Sequence, residues 1–406
     1  MTALAGGSPG GSATSPGQLL RLIREREGLS RQQLMRATGM SRTTLYERLD
    51  ALTRRGLLYE AEALEATGGR RSRRIRFDDR GRVVLALDVG HTHARVAVVE
   101  ISGRERRARR APLVIGLAAD QVFEPLLDLG SDLLTERGDE VLVGIGVGFP
   151  APVDSTSGLV SHQTTIPGWA PDTVVTAVAR RWTQPLVVEN DARASAVGEC
   201  RGDETLVYVK VATGIGCGIV TDGVLQRGAH GAAGDIGHII MDPGGPRCRC
   251  GRHGCLAAFS SGRALLQQLD AETLQTLDDL AGAAEEGSAP VLRALDQAGD
   301  QLGRALAATI ATVNPHRLVL GGVVGRLPHL VDRVNARVRR DLAPRLAEQL
   351  VVEATSLGQT VGTRGLARLV VDRVYAPESV DATSDSSEST DSTDTNHSTA
   401  EPGPLR

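Results

Sequence analysis

The chain has 406 residues, 46 Lys+Arg against 49 Asp+Glu, a formal charge of −3 and 41% hydrophobic residues. That length suits two to three domains with ample chain for a core, and near-neutral charge excludes a global field directed at nucleic acid or membrane. Aromatic residues are only 2%, so the core must be built from Leu, Val, Ala and Ile.

No run of about 18 or more apolar residues occurs, so no transmembrane helix is expected. The start lacks the basic-then-apolar pattern of a signal peptide. Three of the five cysteines are clustered, which argues against a disulfide framework and leaves Cys200 and Cys217 as buried thiols. The expectation is a soluble, cytoplasmic protein that does not engage a membrane. Charge is segregated, however. Residues 15–80 carry a net +6 and residues 377–406 a net −6, a pattern that suggests a DNA-facing module and an acidic tail. Lys210 is the only lysine against 45 arginines, a bias ascribed to genome composition.

Residues 1–14 are rich in Gly, Ser, Ala and Thr and are expected to be disordered. Ser15-Pro16 then opens a helix with Leu19, Leu20, Leu22 and Ile23 on its apolar face. Gly28-Leu-Ser30 breaks it and caps a second helix over about 31–38. Gly39-Met40-Ser41 is a turn, and a third helix runs over about 42–55 with Leu45, Leu49 and Leu52 inward. Helix, Gly-containing turn and helix read as helix-turn-helix. Ser41, Arg42, Thr43, Thr44 and Tyr46 start its second helix, with Arg48 on the same outer side. Short polar side chains and arginine suit base edges and phosphates of double-stranded DNA. Strands from Gly56-Leu-Leu and at Ile75-Arg-Phe77, joined by Gly68-Gly69-Arg70-Arg71-Ser72-Arg73-Arg74, form a basic wing in which Arg70, Arg71 and Arg73 reach phosphate. A generic helical hairpin with a charged loop is the plainer alternative.

Val83 to Val99 reads as two strands around the turn Asp88-Val-Gly90-His-Thr92-His93. Gly144 to Asp154 gives another strand and turn. Pro185 to Asp191 is a strand running into a helix, with Asn190 and Asp191 at the helix N-terminus, where both residue types are also plain caps. Thr205–Val211 is a strand, Ala212-Thr213-Gly214-Ile-Gly216-Cys-Gly218 a glycine-rich turn, and Asp222-Gly223 a tight hairpin turn. Cys248, Cys250 and Cys255 stand in a C-x-C-x4-C spacing ten residues after His238, a Cys3His set suited to one structural zinc. Residues 262–313 are largely helical, Arg317–Leu320 is a strand ending in Gly321-Gly322, and 363–375 is a last amphipathic helix. From about 377 the chain is Ser, Thr, Asp and Glu and is expected to be disordered.

Gly231-Ala-Ala-Gly-Asp-Ile-Gly-His238 followed by Cys248-Arg-Cys-Gly-Arg-His-Gly-Cys-Leu256 resembles the signature of the ROK family, named for repressors, open reading frames and sugar kinases. The resemblance covers about residues 15 to 375, including the Gly-Gly-Arg-Arg of the wing. It implies zinc on His238, Cys248, Cys250 and Cys255, and a sugar facing Asn190, Asp191, Asp235 and His238. It implies ATP held by Gly90, Thr92, Thr213, Gly214, Gly216, Gly321 and Gly322, with Asp88 acting through magnesium. In the family's kinases the residue at Asp191 is the general base.

The chain departs from the pattern at His91 and His93 in the first phosphate turn, at Thr165 before Ile166-Pro-Gly-Trp169, at Asp235 in place of Glu, and at Ala257, where Glu is common. These losses concentrate around the sugar and the first phosphate turn.

The expected fold is α/β: a winged helix-turn-helix over 15–80, then a two-lobed actin-like, sugar kinase-like body with a zinc loop over 81–376, and the acidic tail. The expected function is a sequence-specific DNA-binding regulator, a repressor, sensing a sugar or sugar phosphate as a homodimer or homotetramer. The alternative is an active ATP-dependent sugar kinase with an accessory DNA-binding domain. A DNA-binding protein with no ligand is the third reading.

Overall fold

A computed structural model describes residues 15–388, except 27, 62–72, 115, 155–156, 161–168 and 270–273. The expected disorder of 1–14 and of 389–406, the wing residues Arg70 and Arg71, and Thr165 lie outside the described residues. The chain divides into two compact units, Met1–Arg80 with Asp372–Arg406, and Gly81–Val371.

In the first unit, α1 (Pro16–Glu25) starts after Ser15, whose side chain accepts from the Gln18 N–H. Next come β1 (Leu29–Ser30) and α2 (Arg31–Thr38), the latter held by a reciprocal cap between Ser30 and Gln33. Gly39 ends α2 in the left-handed conformation and α3 (Arg42–Arg54) follows. Strands β2 (Leu58–Ala61) and β3 (Arg74–Phe77) pair antiparallel, with β1 on the other edge of β3. Leu19, Leu20, Ile23, Leu34, Leu45, Leu49 and Leu52 close the core beneath this winged helix-turn-helix. The two-residue β1 falls where the sequence predicts only a break and a cap.

The second unit holds two five-stranded sheets of one topology. Strands β4 (Arg82–Val89), β5 (His93–Glu100), β6 (Glu105–Pro112), β7 (Val141–Phe149) and β8 (Leu186–Asn190) form the order β6-β5-β4-β7-β8. Strands β9 (Leu206–Val211), β10 (Ile215–Thr221), β11 (Val224–Gln226), β12 (Arg317–Gly321) and β13 (Val351–Ala354) form the order β11-β10-β9-β12-β13. In each sheet the first three strands in sequence are an antiparallel meander and the last two add in parallel. This duplicated arrangement is the two-lobed sugar kinase-like fold.

Helices α4 (Ala119–Thr135) and α5 (Thr173–Ala179) cover the first sheet through Phe123, Leu126, Val174 and Val178. Helix α6 (Asp191–Glu199) follows β8 directly and has every residue buried. Helices α7 (Leu256–Ser260), α8 (Gly262–Gln268), α9 (Leu277–Glu285) and α10 (Ala289–Val313) belong to the second lobe, with α11 (Gly322–Gly325), α12 (Pro328–Asp341) and α13 (Pro344–Gln349). Leu295, Leu302 and Leu306 of α10 meet Leu330, Val334 and Val338 of α12 in its core.

Helix α14 (Val361–Val374) packs on α6 so closely that a Cβ on Gly365 would lie 1.7 Å from the Ala194 carbonyl oxygen. The turn Asp222-Gly223 has both residues at positive φ, 50° and 74°, as a primed hairpin turn requires. Gly216 and Gly218 are corrected from turn to strand: both lie inside β10, against Ala192 and Ala196 of α6.

The last described helix, α15 (Pro377–Glu388), returns to the first unit and overturns the expectation of disorder from 377 for its first 12 residues. Its one buried apolar residue is Val380. The Asp381 carboxylate accepts from the Gly17 N–H at 2.8 Å, and Arg55 donates to the Val380 carbonyl at 2.8 Å and the Thr383 hydroxyl at 2.7 Å. An acid on the first turn of α1 meets the positive end of that helix. Hydrogen bonds of this kind leave no hydrophobic periodicity, so composition concealed the helix.

Val380→Asp should remove about 1.5–3 kcal/mol of burial and release α15. Limited proteolysis with a Glu-specific protease should then cut at Glu378, which wild type protects; equal cutting of both proteins would contradict the docking of this helix.

Candidate functional site

In the first unit, Ser41 caps α3. Its hydroxyl accepts from the Thr44 N–H at 3.2 Å and lies 2.9 Å from the Thr44 hydroxyl. Leu45, Leu49 and Leu52 turn inward while Ser41, Arg42, Thr43, Tyr46 and Arg48 face solvent. The Tyr46 ring is 41% exposed and carries the Arg31 and Arg42 guanidinium groups at 5.2 and 5.4 Å from its centroid. Two of the expected contact residues, Ser41 and Thr44, therefore bond to each other, while Arg42, Thr43, Tyr46 and Arg48 form the open face. Arg73 is exposed but pairs with Glu60 at 3.1 Å, and Glu60 also pairs with Arg31. A phosphate contact from Arg73 would compete with that pair.

In the second unit a cleft of about 1710 Å³ is lined by Asp88, Gly90, Thr92, Asn190, Asp191, Thr213, Gly214, Gly216, Asp235, His238 and Gly322. These eleven sequence candidates thus come together, and Gly321 does not join them. A Cβ on Gly321 would lie 1.8 Å from the Tyr208 hydroxyl, so this glycine makes room for Tyr208. The Gly90 N–H donates to the His93 carbonyl at 2.9 Å, which closes the hairpin and takes that donor away from any phosphate. The Thr92 hydroxyl lies 3.2 Å from His93 Nδ1. His91 and His93 both line the cleft; burial holds both imidazoles below their ordinary pKa, opposed at His91 by Asp191 and reinforced at His93 by Arg110 and Lys210.

Asn190 and Asp191 divide two roles. Asn190 is the cap of α6: its Oδ1 accepts from the Ala192 and Arg193 N–H groups at 3.1 and 3.2 Å, and its Nδ2 donates to the Ala151 carbonyl at 3.2 Å. Asp191 turns its Oδ2 to the Lys210 ammonium at 2.8 Å. That ammonium, carried by β9, lies 4.0 Å from Asp88 Oδ1, a buried oxygen with no hydrogen-bond partner among the described residues. Burial works against the charge on Lys210, but the two carboxylates outweigh it and raise its pKa. Burial likewise raises the Asp88 carboxyl above its usual range, with Lys210 opposing.

A magnesium ion needs carboxylate oxygens at about 2.0–2.1 Å with room for further oxygen ligands. An ammonium already wedged between these two carboxylates does not fit that demand. Sequence analysis missed Lys210; its standing as the lone lysine was the available signal.

Arg193 was missed as well. It is 2% exposed, and its Nε pairs at 3.0 Å with Glu189, which is 0% exposed. Its other nitrogens reach the Gly231 carbonyl at 2.6 Å and the Val153 carbonyl at 3.3 Å, while Arg227 also pairs with Glu189 at 2.8 Å. This buried network ties the β8–α6 junction to the segment leading into Asp235. Asp235 is exposed on the cleft wall. Ala257, at the start of α7, adds no polar atom to that wall.

Donor atoms of His238, Cys248, Cys250 and Cys255 lie within 4.8 Å of one another. Cys248 Sγ is 3.5 Å from His238 Nδ1, and Cys250 Sγ is 3.6 Å from Cys255 Sγ. Tetrahedral zinc with bonds of about 2.0–2.3 Å requires donor separations of about 3.5–3.8 Å, and these two pairs match it. Backbone bonds from Met241 to Gly254, Cys248 to Arg252 and Gly254 to Pro246 fold the loop that brings the four together. Burial disfavours the Cys250 thiolate, yet backbone and side-chain donors of Arg252 bring that thiol down to about 6.

Comparison with known proteins agrees with this architecture. The model of the ROK family matches residues 84–373, and that of winged helix-turn-helix DNA-binding matches residues 17–59. The xylose repressor of Bacillus subtilis (strain 168) is 25% identical over 363 residues, covering 87% of this chain and 94% of that protein. The glucokinase of Thermotoga maritima is 28% identical over 313 residues, covering 72% of this chain and 98% of its own. A crystal structure of a ROK family transcriptional regulator, described as a homolog of the E. coli MLC protein, superposes with a TM-score of 0.74 at 23% identity, over 90% of this chain and 98% of that one. At that identity the superposition speaks for the fold.

Arg193→Met should take one of two arginines from the buried Glu189 carboxylate, leaving Arg227 and the Asn190 N–H, and cost up to about 3–5 kcal/mol. Urea unfolding of the full chain tests this; a loss below about 1 kcal/mol would show that Arg227 and the Asn190 N–H satisfy Glu189.

Proposed function

The chain belongs to the ROK family, and from that premise we propose that it is a sequence-specific DNA-binding transcriptional regulator, a repressor, whose ROK body senses a sugar or sugar phosphate. One observation carries the reading: a winged helix with an open polar face on α3 shares one chain with a ROK body. The match to a named repressor runs through both parts, whereas the match to a named glucokinase covers 72% of this chain. Family membership by itself leaves catalysis open, because relatives include both kinds.

On this reading Arg42, Thr43, Tyr46 and Arg48 meet base edges and phosphates in the major groove, with Arg70, Arg71 and Arg73 on the flanking backbone. The protein acts as a homodimer or homotetramer on paired half-sites. Asp191, Asp235 and His238 contact the ligand, and Asn190 supports them from the α6 cap. Arg249 and Arg263 also line the cleft and pair with no Asp or Glu among the described residues, which suits an anionic group on the ligand.

Zinc is the proposed occupant of the Cys3His cluster, where it supplies structural cross-linking of the loop. With Nδ1 given to the metal, His238 keeps Nε2 for a ligand hydroxyl, and the ring orientation is fixed by the cluster. ATP has no part in this reading, which is supported by the Gly90 N–H already bonding the His93 carbonyl and by Gly321 lying outside the cleft lining.

Two measurements check this. Fluorescence anisotropy of fragments from the chain's own upstream region should yield a specific site. Arg42→Ala should shift base preference by about 1–3 kcal/mol, and each lost phosphate contact of Arg70 or Arg71 should reduce the salt slope by about 0.9. A chain that prefers no fragment over random DNA would defeat the proposal. Metal analysis should find one zinc per chain, lost in Cys250→Ser together with thermal stability; freshly purified, unchelated protein without zinc would contradict the cluster's role.

A further inference from the structure

Lys210 lines the cleft, and none of the sequence motifs called for it. Its ammonium comes from β9 in the second lobe. The carboxylates it meets come from the first lobe: Asp88 near the end of β4, and Asp191 at the β8–α6 junction. The ammonium donates to Asp191 Oδ2 at 2.8 Å and stands 4.0 Å from Asp88 Oδ1. Two carboxylates converging in a cleft, with one oxygen lacking any hydrogen-bond donor among the described residues, are a donor set that attracts a hard divalent cation.

The choice of lysine is also informative. The chain uses arginine 45 times and lysine once, and the single lysine falls here. An ammonium is a compact point charge with three donors, whereas guanidinium is a planar fork that binds one carboxylate edge-on. The ammonium is the closer of the two to a metal ion in size.

We infer that Lys210 is the cleft's own cation: its ammonium takes the place of a divalent metal between Asp88 and Asp191, so the cleft binds its ligand without a metal ion. The same bond determines what Asp191 does. With Oδ2 held by the ammonium, its carboxylate is fixed in place as a hydrogen-bond acceptor on which a ligand hydroxyl can dock. Lys210 is therefore a specificity-determining residue for a neutral or anionic ligand free of metal. The inference deepens the reading of the body as a sensor and rests on it.

The test is a Mn²⁺ titration of the zinc-loaded full chain, followed by electron paramagnetic resonance of the free ion. Wild type should show no saturable site that depends on Asp88. Lys210→Met should gain one, binding Mn²⁺ at least about tenfold tighter than wild type, and adding Asp88→Asn should abolish it. A folded Lys210→Met protein that gains no site would overturn the inference. So would wild type binding Mn²⁺ at a site that Asp88→Asn removes, and this comparison decides the matter even where Lys210→Met fails to fold. Neither DNA nor sugar enters the readout. Its failure therefore leaves the regulator reading intact, and absent operator binding leaves this cation assignment intact.

Discussion

A helix of nine residues with none exposed constrains the rest of the second unit. Helix α6 packs against β10 through Ala192 and Ala196, and against α14 through Gly198 and Gly365, so closely that side chains at the facing glycines are excluded. Close packing of this kind transmits displacement instead of absorbing it. The N-terminus of α6 is set by the Asn190 cap and by the buried pair of Glu189 with Arg193. Asp191 therefore has a fixed position and direction, and the strands carrying Asp88 and Lys210 are registered to it. A buried ion pair contributes little net stability against an apolar replacement. Its use here is to specify one geometry for a junction from which several polar groups enter the cleft.

The first unit is fixed by different means. Its helices are short, its core is mostly leucine, and the acidic segment supplies both a side chain to that core and a carboxylate to the start of α1. The separation of charge between the ends of the chain, +6 against −6, therefore has in part a structural use. Phe77 meets Tyr375 edge-on at 4.9 Å, and the Arg24 guanidinium lies over both rings at 5.5 and 5.3 Å. Two of the chain's few aromatic residues are spent joining its two ends within one unit.

Local signals were legible in the sequence. The three helices and wing strands of the first unit follow from caps, glycines and apolar spacing, and the cysteine spacing of the zinc-type loop is nearly self-sufficient as a pattern. The strand–turn motifs named the residues that meet in the cleft, although nothing local could assemble them. What failed to show was set by tertiary partners. Strand β6 carries Arg106, Arg107, Arg109 and Arg110 where a strand normally shows apolar alternation. It is held by Glu100, Glu136 and Glu140 from elsewhere in the fold. Gly321 matched a motif but answers to Tyr208. Lys210 belongs to no motif, and its meaning depends on two carboxylates more than a hundred residues apart in sequence.

On the proposed reading, the body recognises a sugar by hydrogen bonding from a preset wall and does not activate it. The direct measurement is operator affinity across a panel of free sugars and sugar phosphates, with no nucleotide and with chelator present for divalent ions other than the tightly held zinc, paired with product analysis after adding ATP and magnesium. The account predicts that one ligand changes operator affinity by about tenfold or more without nucleotide, and that no phosphorylated product forms. Ligand effects that require ATP and magnesium, accompanied by sugar phosphorylation lost in Asp191→Ala, would contradict it.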